Sequence, residues 1–127
     1  MSQTYTGSCH CGRVSFEVQA NLAYVVDCNC SICSRRGALW HTAPESDLRI
    51  LGGEDELTLY QFNTRTAKHY FCRHCGICPF IRPRLDPTVW AFNVRCLDGV
   101  DLASLPVVPF DGQNWEQTAQ ALRERRR

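Results

Sequence analysis

The cysteines are the residues of this sequence with the clearest capacity for chemistry. The chain has nine cysteines in 127 residues. Two thiolates separated by one or two residues can bind one ion at about 2.3 Å without strain. Soft thiolate sets select zinc or an iron–sulfur centre. Eight of the nine fall into three groups, which predicts metal binding: Cys9 and Cys11; Cys28, Cys30 and Cys33; Cys72, Cys75 and Cys78.

A disulfide framework explains these cysteines less well than a metal site does. An odd number leaves one thiol unpaired, and Cys96 already stands apart from the three groups. The first twelve residues show no basic start, apolar stretch or cleavage site that would direct secretion. Disulfides persist mainly in oxidising compartments. We therefore expect reduced thiols and a cytoplasmic location.

One segment late in the chain has the form of a zinc knuckle. It reads Phe71-Cys72-Arg73-His74-Cys75-Gly76, and the glycine after the second cysteine permits the left-handed backbone that closes such a turn. A knuckle supplies two ligands, whereas a closed structural zinc site needs four. The segment Cys9-His10-Cys11-Gly12 is the natural candidate for the missing pair.

The middle group, Cys28-Asn29-Cys30-Ser31-Ile32-Cys33, places three thiols within six residues. Three protein ligands with one open position are typical of a catalytic zinc, because the open position can take a substrate atom. Two alternatives stay open. Cys78 could supply a fourth ligand and close this site, or the cysteines could hold an iron–sulfur cluster, although the four-cysteine ferredoxin spacing is absent. The spacing favours two metals with different roles.

Short strands must position these cysteines. Polar and apolar side chains alternate with a period of two, typical of half-buried strands, in residues 13–18, 57–62, 67–71 and 89–94. A helical pattern appears only near the end, where Asn114 and Gln117 have the spacing of a capping box and apolar side chains share one face. The sequence predicts one mainly β domain over residues 1–127, with a short C-terminal helix.

The composition limits the partners that the chain can bind. Charged residues make up 21% of the sequence, and no apolar run approaches the roughly 18 residues of a membrane span. The net charge of +1 argues against binding to nucleic acid or to an anionic membrane. All basic residues except Lys68 are arginine, which favours the fork-like binding of carboxylates. We therefore expect no nucleic acid and no membrane partner.

The three cysteine segments together resemble, in order and spacing, the signatures of the glutathione-dependent formaldehyde-activating enzyme family. Four later segments are similar to the branch of that family that includes centromere protein V; they read Tyr60-Gln61-Phe62-Asn63-Thr64, Phe80-Ile81-Arg82-Pro83-Arg84, Asn93-Val94-Arg95-Cys96-Leu97-Asp98 and Phe110-Asp111-Gly112-Gln113-Asn114-Trp115-Glu116. The resemblance covers about residues 5 to 117.

The resemblance implies an Mss4-like fold, in which zinc holds twisted antiparallel sheets together. It implies two zinc ions per chain, a structural one bound by Cys9, Cys11, Cys72 and Cys75 and a catalytic one bound by Cys28, Cys30 and Cys33. It also implies a carbon–sulfur lyase that condenses glutathione, or a related thiol, with formaldehyde or another small aldehyde. Arginines that flank the cysteine motifs are candidates for holding the carboxylates of that thiol: Arg35, Arg36, Arg65 and Arg82.

Two other functions remain compatible with the same residues. A zinc-held domain without catalysis could act as a binding module, as the resemblance to the centromere protein V branch permits. The three-thiol segment could instead serve redox chemistry or zinc storage, because clustered thiolates release metal when they are oxidised. Catalytic turnover separates the enzyme from both of these functions.

Overall fold

The computed structural model describes residues 2–125, so both ends of the predicted domain, Met1 and residues 126–127, lie outside the described residues. Its strands and α-helices are β1 (Gln3–Ser8), β2 (Ser15–Ala20), β3 (Val25–Cys28), α1 (Ser31–Arg36), β4 (Trp40–Ala43), β5 (Leu48–Gly52), β6 (Leu57–Tyr60), β7 (Lys68–Cys72), β8 (Phe80–Arg82), β9 (Trp90–Asn93), β10 (Val107–Phe110) and α2 (Trp115–Arg125). The predicted mainly β fold with a short C-terminal helix is confirmed.

The smaller sheet has three antiparallel strands in the order β1-β2-β5. The period-two pattern predicted for residues 13–18 is present, since Val14, Phe16 and Val18 are fully buried. Strand β2 follows the first cysteine pair directly. The hydrophobic side chains of β2 therefore fix that pair against the core.

The larger sheet has seven strands in the order β10-β3-β4-β9-β8-β7-β6. Six of its strands form antiparallel pairs, but β10 pairs with β3 in parallel, which differs from the wholly antiparallel sheets expected from the sequence. A parallel pair needs a long connection, and all the other strands of this sheet lie between β3 and β10 along the chain. This pairing brings the segment after β10 next to the end of β3.

Two hydrophobic clusters fill the interior, and each contains cysteines. The main cluster joins both sheets, with the ring of Phe16 edge-on to Phe80 at 5.5 Å, and it includes Cys9 and Cys72. A smaller cluster lies along the large sheet and includes Cys33. The two groups of cysteines are therefore anchored on different parts of the core.

The two helices differ in how well the sequence predicts them. Helix α1 has only six residues, too few for a periodic pattern, and it ends at Gly37 in the left-handed conformation. The segment before α2 forms a 3-10 turn over Gly112–Asn114. There the side-chain amide of Asn114 donates to the carboxylate of Asp111. Ala119 of α2 is fully buried. Within the described residues no helix is long and apolar enough to cross a membrane.

Candidate metal centres

The structure brings the first and last cysteine pairs into one group, here called the four-cysteine cluster. The sulfur atoms of Cys9, Cys11, Cys72 and Cys75 all lie within 4.8 Å of one another. The sulfur of Cys11 is 3.6 Å from those of Cys9 and Cys72. A tetrahedral zinc with bonds of about 2.3 Å requires sulfur atoms roughly 3.8 Å apart. The donor set and its spacing therefore fit zinc.

The turns of this cluster show why these short segments form a site. The amide of Gly76 donates to the carbonyl of Cys72 at 2.8 Å, and Gly76 has the positive φ of 78° that the turn requires. Backbone amides point at the sulfurs, from His74 to Cys72 and from Val14 to Cys9, each at 3.4 Å. These hydrogen bonds fix the direction of the two sulfur atoms within their turns.

Charged side chains surround the four-cysteine cluster, and one of them, Arg13, favours the charged thiolate of Cys11. Hydrogen bonds from the backbone and side chain of Arg13 lower the pKa of Cys11 to about 6. On the other side, Glu56 lies 2.6 Å from both Arg73 and His74, which are the two residues between the cysteines of the knuckle. Arg13 therefore offsets part of the negative charge of the cluster, and Glu56 holds the two side chains between the knuckle cysteines.

The middle cysteines form a second group, here called the three-cysteine cluster. The sulfur atoms of Cys28, Cys30 and Cys33 lie within 4.8 Å of one another. Cys28 ends β3 and Cys30 is the N-cap of α1, where its sulfur accepts from the amide of Cys33 at 3.4 Å. Hydrogen bonds from the Cys28 and Cys33 thiols lower the pKa of Cys30. Three thiol donors fit zinc and leave one tetrahedral position for another ligand.

A segment far along the chain closes over this cluster, and the sequence alone did not reveal it. The amide group of Asn29 donates to Asp111 at 3.1 Å, and its oxygen accepts from the amide of Gln113 at 3.0 Å. A Cβ on Gly112 would lie 2.7 Å from the sulfur of Cys28, closer than real contacts allow. Residues 110–114, here called the covering segment, thus pack directly on the cysteine turn. The parallel pairing of β3 with β10 explains this position.

The two remaining cysteines lie outside both clusters. Cys78 is buried, and its thiol donates to the carbonyl of Phe80 at 3.6 Å. Burial raises the pKa of Cys78 to about 11 and that of Cys96 to about 12. Among the described residues the structure does not bring Cys78 into the three-cysteine cluster as a fourth ligand. Both residues are neutral thiols at ordinary pH.

Two of the four candidate arginines lie outside α1. The guanidinium of Arg82 pairs with Glu45 at 2.9 Å and lies 3.6 Å from the centre of the Trp90 ring. Arg82 is therefore already engaged by other side chains. Arg65 is exposed in the loop between β6 and β7, with a positive φ of 56°.

The other two candidate arginines lie on α1, which carries Cys33. Arg35 is exposed and donates to the carbonyl of Ser31 at 2.7 Å. Arg36 is half-buried and donates to Nδ1 of His69 at 3.2 Å. Burial and the charge of Arg36 lower the pKa of His69 to about 4, against an opposing effect of Cys30. A neutral imidazole and a guanidinium therefore lie near the three-cysteine cluster.

The order of these clusters along the chain is that of a known family. The family model described as glutathione-dependent formaldehyde-activating enzyme matches residues 4–110. The chain belongs to this family. The match includes all seven cysteines of the two clusters but ends before Gly112. The family prediction is confirmed, and the centromere protein V-like branch stays a prediction.

Individual relatives agree with the family match. A protein of Halomonas elongata named for glutathione-dependent formaldehyde activation is 31% identical over 98 residues, which cover 70% of this chain and 56% of that protein. The chain thus spans little more than half the length of that curated relative. A crystal structure of a Rhodobacter sphaeroides protein superposes with a TM-score of 0.74 at 47% identity, covering 81% of this chain and 99% of the other.

Proposed function

We propose that this protein is a zinc-dependent carbon–sulfur lyase that condenses glutathione, or a related thiol, with formaldehyde or another small aldehyde. The observation that carries the proposal is a cluster of three thiols in a chain that belongs to the formaldehyde-activating family. We assign two zinc ions per chain. Cys9, Cys11, Cys72 and Cys75 bind the structural ion, and Cys28, Cys30 and Cys33 bind the catalytic one.

A zinc ion on three thiolates is a modest Lewis acid that can hold a substrate sulfur or carbonyl oxygen while a bound thiolate stays nucleophilic. The addition of the thiol to the aldehyde needs no oxidant or reductant. The electron pair of the substrate sulfur forms the new carbon–sulfur bond, the π pair of the carbonyl moves onto oxygen, and that oxygen takes up the proton that the thiol has lost. The reverse reaction releases the aldehyde.

Residues of the chain set the charge of Cys30 and the tautomer of His69 near the site of this reaction. The amide of Cys33 and the neighbouring thiols favour a charged sulfur on Cys30. Because Arg36 can only donate, Nδ1 of His69 must accept, which leaves the proton of the neutral imidazole on Nε2. In this tautomer His69 offers a donor rather than a base, which suits the oxygen that becomes negative during addition.

The cellular setting of the proposal follows from the state of the thiols. All nine cysteines are free in the structure. Both clusters need reduced thiols, and reducing compartments keep thiols in that state. We therefore propose that the protein works in the cytoplasm on a small-molecule thiol and aldehyde.

Magnetisation-exchange NMR with glutathione and formaldehyde tests the reaction. We expect the wild-type protein to increase the exchange rate between free and S-hydroxymethyl glutathione. The variant Cys30→Ser should lose this increase while keeping its fold, and Ser46→Ala, which alters an exposed serine before β5, should keep it. An exchange rate that is the same with and without wild-type protein would reject this substrate pair. Rapid zinc release on mild oxidation would then favour the redox or storage function.

A further inference from the structure

A cavity of about 470 Å³ is lined by residues that flank the four-cysteine cluster in sequence and by the end of α1. His10, next to the four-cysteine cluster, forms one part of its lining, and Arg36 and Gly37 at the end of α1 form another. Arg95, the buried Cys78 and the half-buried Cys96 also line it. Concave sites with a few converging polar groups are the usual binding sites of small molecules.

The backbone at the end of α1 brings the two arginines of this cavity together. Nε of Arg95 donates to the carbonyl of Gly37 at 3.0 Å, and the amide of Arg95 donates to the side chain of Asn93 at 3.1 Å. Gly37 directly follows Arg36 and has a positive φ of 70°. The guanidinium of Arg95 is thus fixed beside the residue that carries the other guanidinium.

The charge of the cavity is positive. Within residues 2–125, neither Arg36 nor Arg95 forms an ion pair with a carboxylate. The thiols of Cys78 and Cys96 do not offset this charge, since burial raises the pKa of both. The four-cysteine cluster has a separate cationic neighbour, because Arg13 contacts Cys11. Arg36 donates to His69 through Nη1 and Arg95 donates to Gly37 through Nε, so the remaining N–H groups of both guanidinium groups can bind an anion.

The cavity also lies within reach of the proposed reaction. Arg36 follows Cys33 by three residues on α1, which is a rise of about 4.5 Å along a helix. Cys78 lines the cavity and packs in the same hydrophobic cluster as Cys33. A thiol whose sulfur reaches the three-cysteine cluster can thus extend its other groups along the end of α1 toward the cavity.

We propose that this cavity binds the carboxylate-bearing part of the thiol substrate, with Arg36 and Arg95 as the anion-binding side chains. The proposal rests on the proposed function and narrows its substrate to thiols that carry a carboxylate. Guanidinium groups suit this ligand because their forked donors match the two oxygens of a carboxylate. Arg95 was not among the arginines that the sequence suggested. It follows a strand rather than flanking a cysteine turn.

The test compares a charged thiol with its neutral counterpart. We expect Arg95→Gln to raise the KM for glutathione about tenfold, the effect of losing one hydrogen bond to a charged group, while the KM for glutathione diethyl ester stays unchanged. The matched control is Arg49→Gln, which removes an exposed arginine of β5 that pairs with Glu17 and should change neither value. Zinc content measured for each variant confirms that both clusters remain loaded.

Calorimetry with S-methylglutathione separates this inference from the proposed function, because this ligand binds without reacting. We expect binding to the wild-type protein and a loss of about tenfold or more in Arg95→Gln. Equal affinity in both proteins, or no binding to the wild type, would overturn the cavity assignment even if exchange catalysis is present. Binding that depends on Arg95 without any exchange catalysis would uphold the anion site and reject the reaction.

Discussion

The two cysteine clusters are built in different ways. Each half of the four-cysteine cluster is a turn that closes on itself, with amides of the same turn directed at the sulfurs of Cys9 and Cys72. The turn of the three-cysteine cluster is covered by residues from the other end of the chain, through Asn29, Asp111 and Gly112. The four-cysteine cluster therefore joins two locally formed turns whose cysteines lie 61 residues apart, whereas the donors of the three-cysteine cluster are contiguous and a distant segment holds their turn.

The clusters also differ in what surrounds them. Cys9 and Cys72 belong to the main hydrophobic cluster that joins both sheets and are almost completely buried. Cys28 and Cys30 are only half-buried and border the smaller cluster. In the proposed function, a metal at the four-cysteine cluster would stabilise the fold, and a metal at the three-cysteine cluster would meet the substrate. We therefore expect damage to the four-cysteine cluster to disrupt the three-cysteine cluster as well. Damage to the three-cysteine cluster should leave the four-cysteine cluster intact.

The largest expected effect is that of Cys72→Ser. Removing one of four thiolates from a structural zinc site forfeits most of the binding free energy, which is folding free energy for a chain of this size. Because small domains have only about 5–15 kcal/mol of stability, we expect the variant to lose cooperative thermal unfolding and both zinc ions. Circular dichroism and elemental analysis measure this.

The matched variant for that comparison is Cys30→Ser, which removes one thiolate from the three-cysteine cluster. It should keep cooperative unfolding and retain one zinc per chain. If Cys30→Ser unfolded as completely as Cys72→Ser, the two clusters would share one structural role and the contrast would be wrong.

A selective effect is expected from Gly112→Ala. The added Cβ would lie 2.6 Å from the Cβ of Cys30, so the cysteine turn must shift. Changes next to metal ligands commonly reduce metal affinity about 10- to 100-fold, and we expect a loss of that size at the three-cysteine cluster with the other zinc unaffected. Competition with a chromogenic chelator measures the affinity of each site.

Gly52→Ala is the control for this variant. Gly52 is also half-buried and without positive φ, but its added Cβ would meet only Ser15 at an ordinary 3.5 Å. Gly52→Ala should leave the zinc affinity of both clusters unchanged. Equal zinc affinities in Gly112→Ala and the wild type would show that the covering segment does not position the cysteines.

The smallest effect is expected from Asn29→Ala. It removes the hydrogen bonds to Asp111 and Gln113 but creates no clash. A lost hydrogen bond at an exposed site costs about 1 kcal/mol, so we expect a small decrease in the free energy of unfolding and a weaker loss of zinc than in Gly112→Ala. Denaturant unfolding compares it with Asn21→Ala, another exposed asparagine. A larger decrease in Asn21→Ala would contradict the role of Asn29.

The sequence predicted most of what is local. The spacing of the cysteines indicated both groups, and the alternation in residues 57–62 and 67–71 predicted β6 and β7 to within two residues. These patterns can be recognised in the sequence because metal-binding turns and half-buried strands each place their defining residues close together along the chain.

The features that the sequence did not predict depend on distant pairings. The contact of Gly112 with Cys28 joins positions that are far apart, and it follows from the parallel pairing of β10 with β3. Arg82 flanks a cysteine motif in sequence but is occupied by Glu45 and Trp90, and Arg95 enters the cavity from a strand end. Such contacts cannot be inferred from a single sequence, because they form only when the sheets assemble.

Timed zinc removal shows whether one cluster holds the fold while the other is open for chemistry. Protein purified without chelator is analysed for zinc per chain, for secondary structure and for thiol–aldehyde exchange as a chelator is added. We expect a zinc content near two per chain that falls rapidly to one, with catalysis lost and the fold unchanged. A zinc content near one that zinc addition does not raise, or loss of both ions together with the fold, would show that the two clusters do not divide these roles.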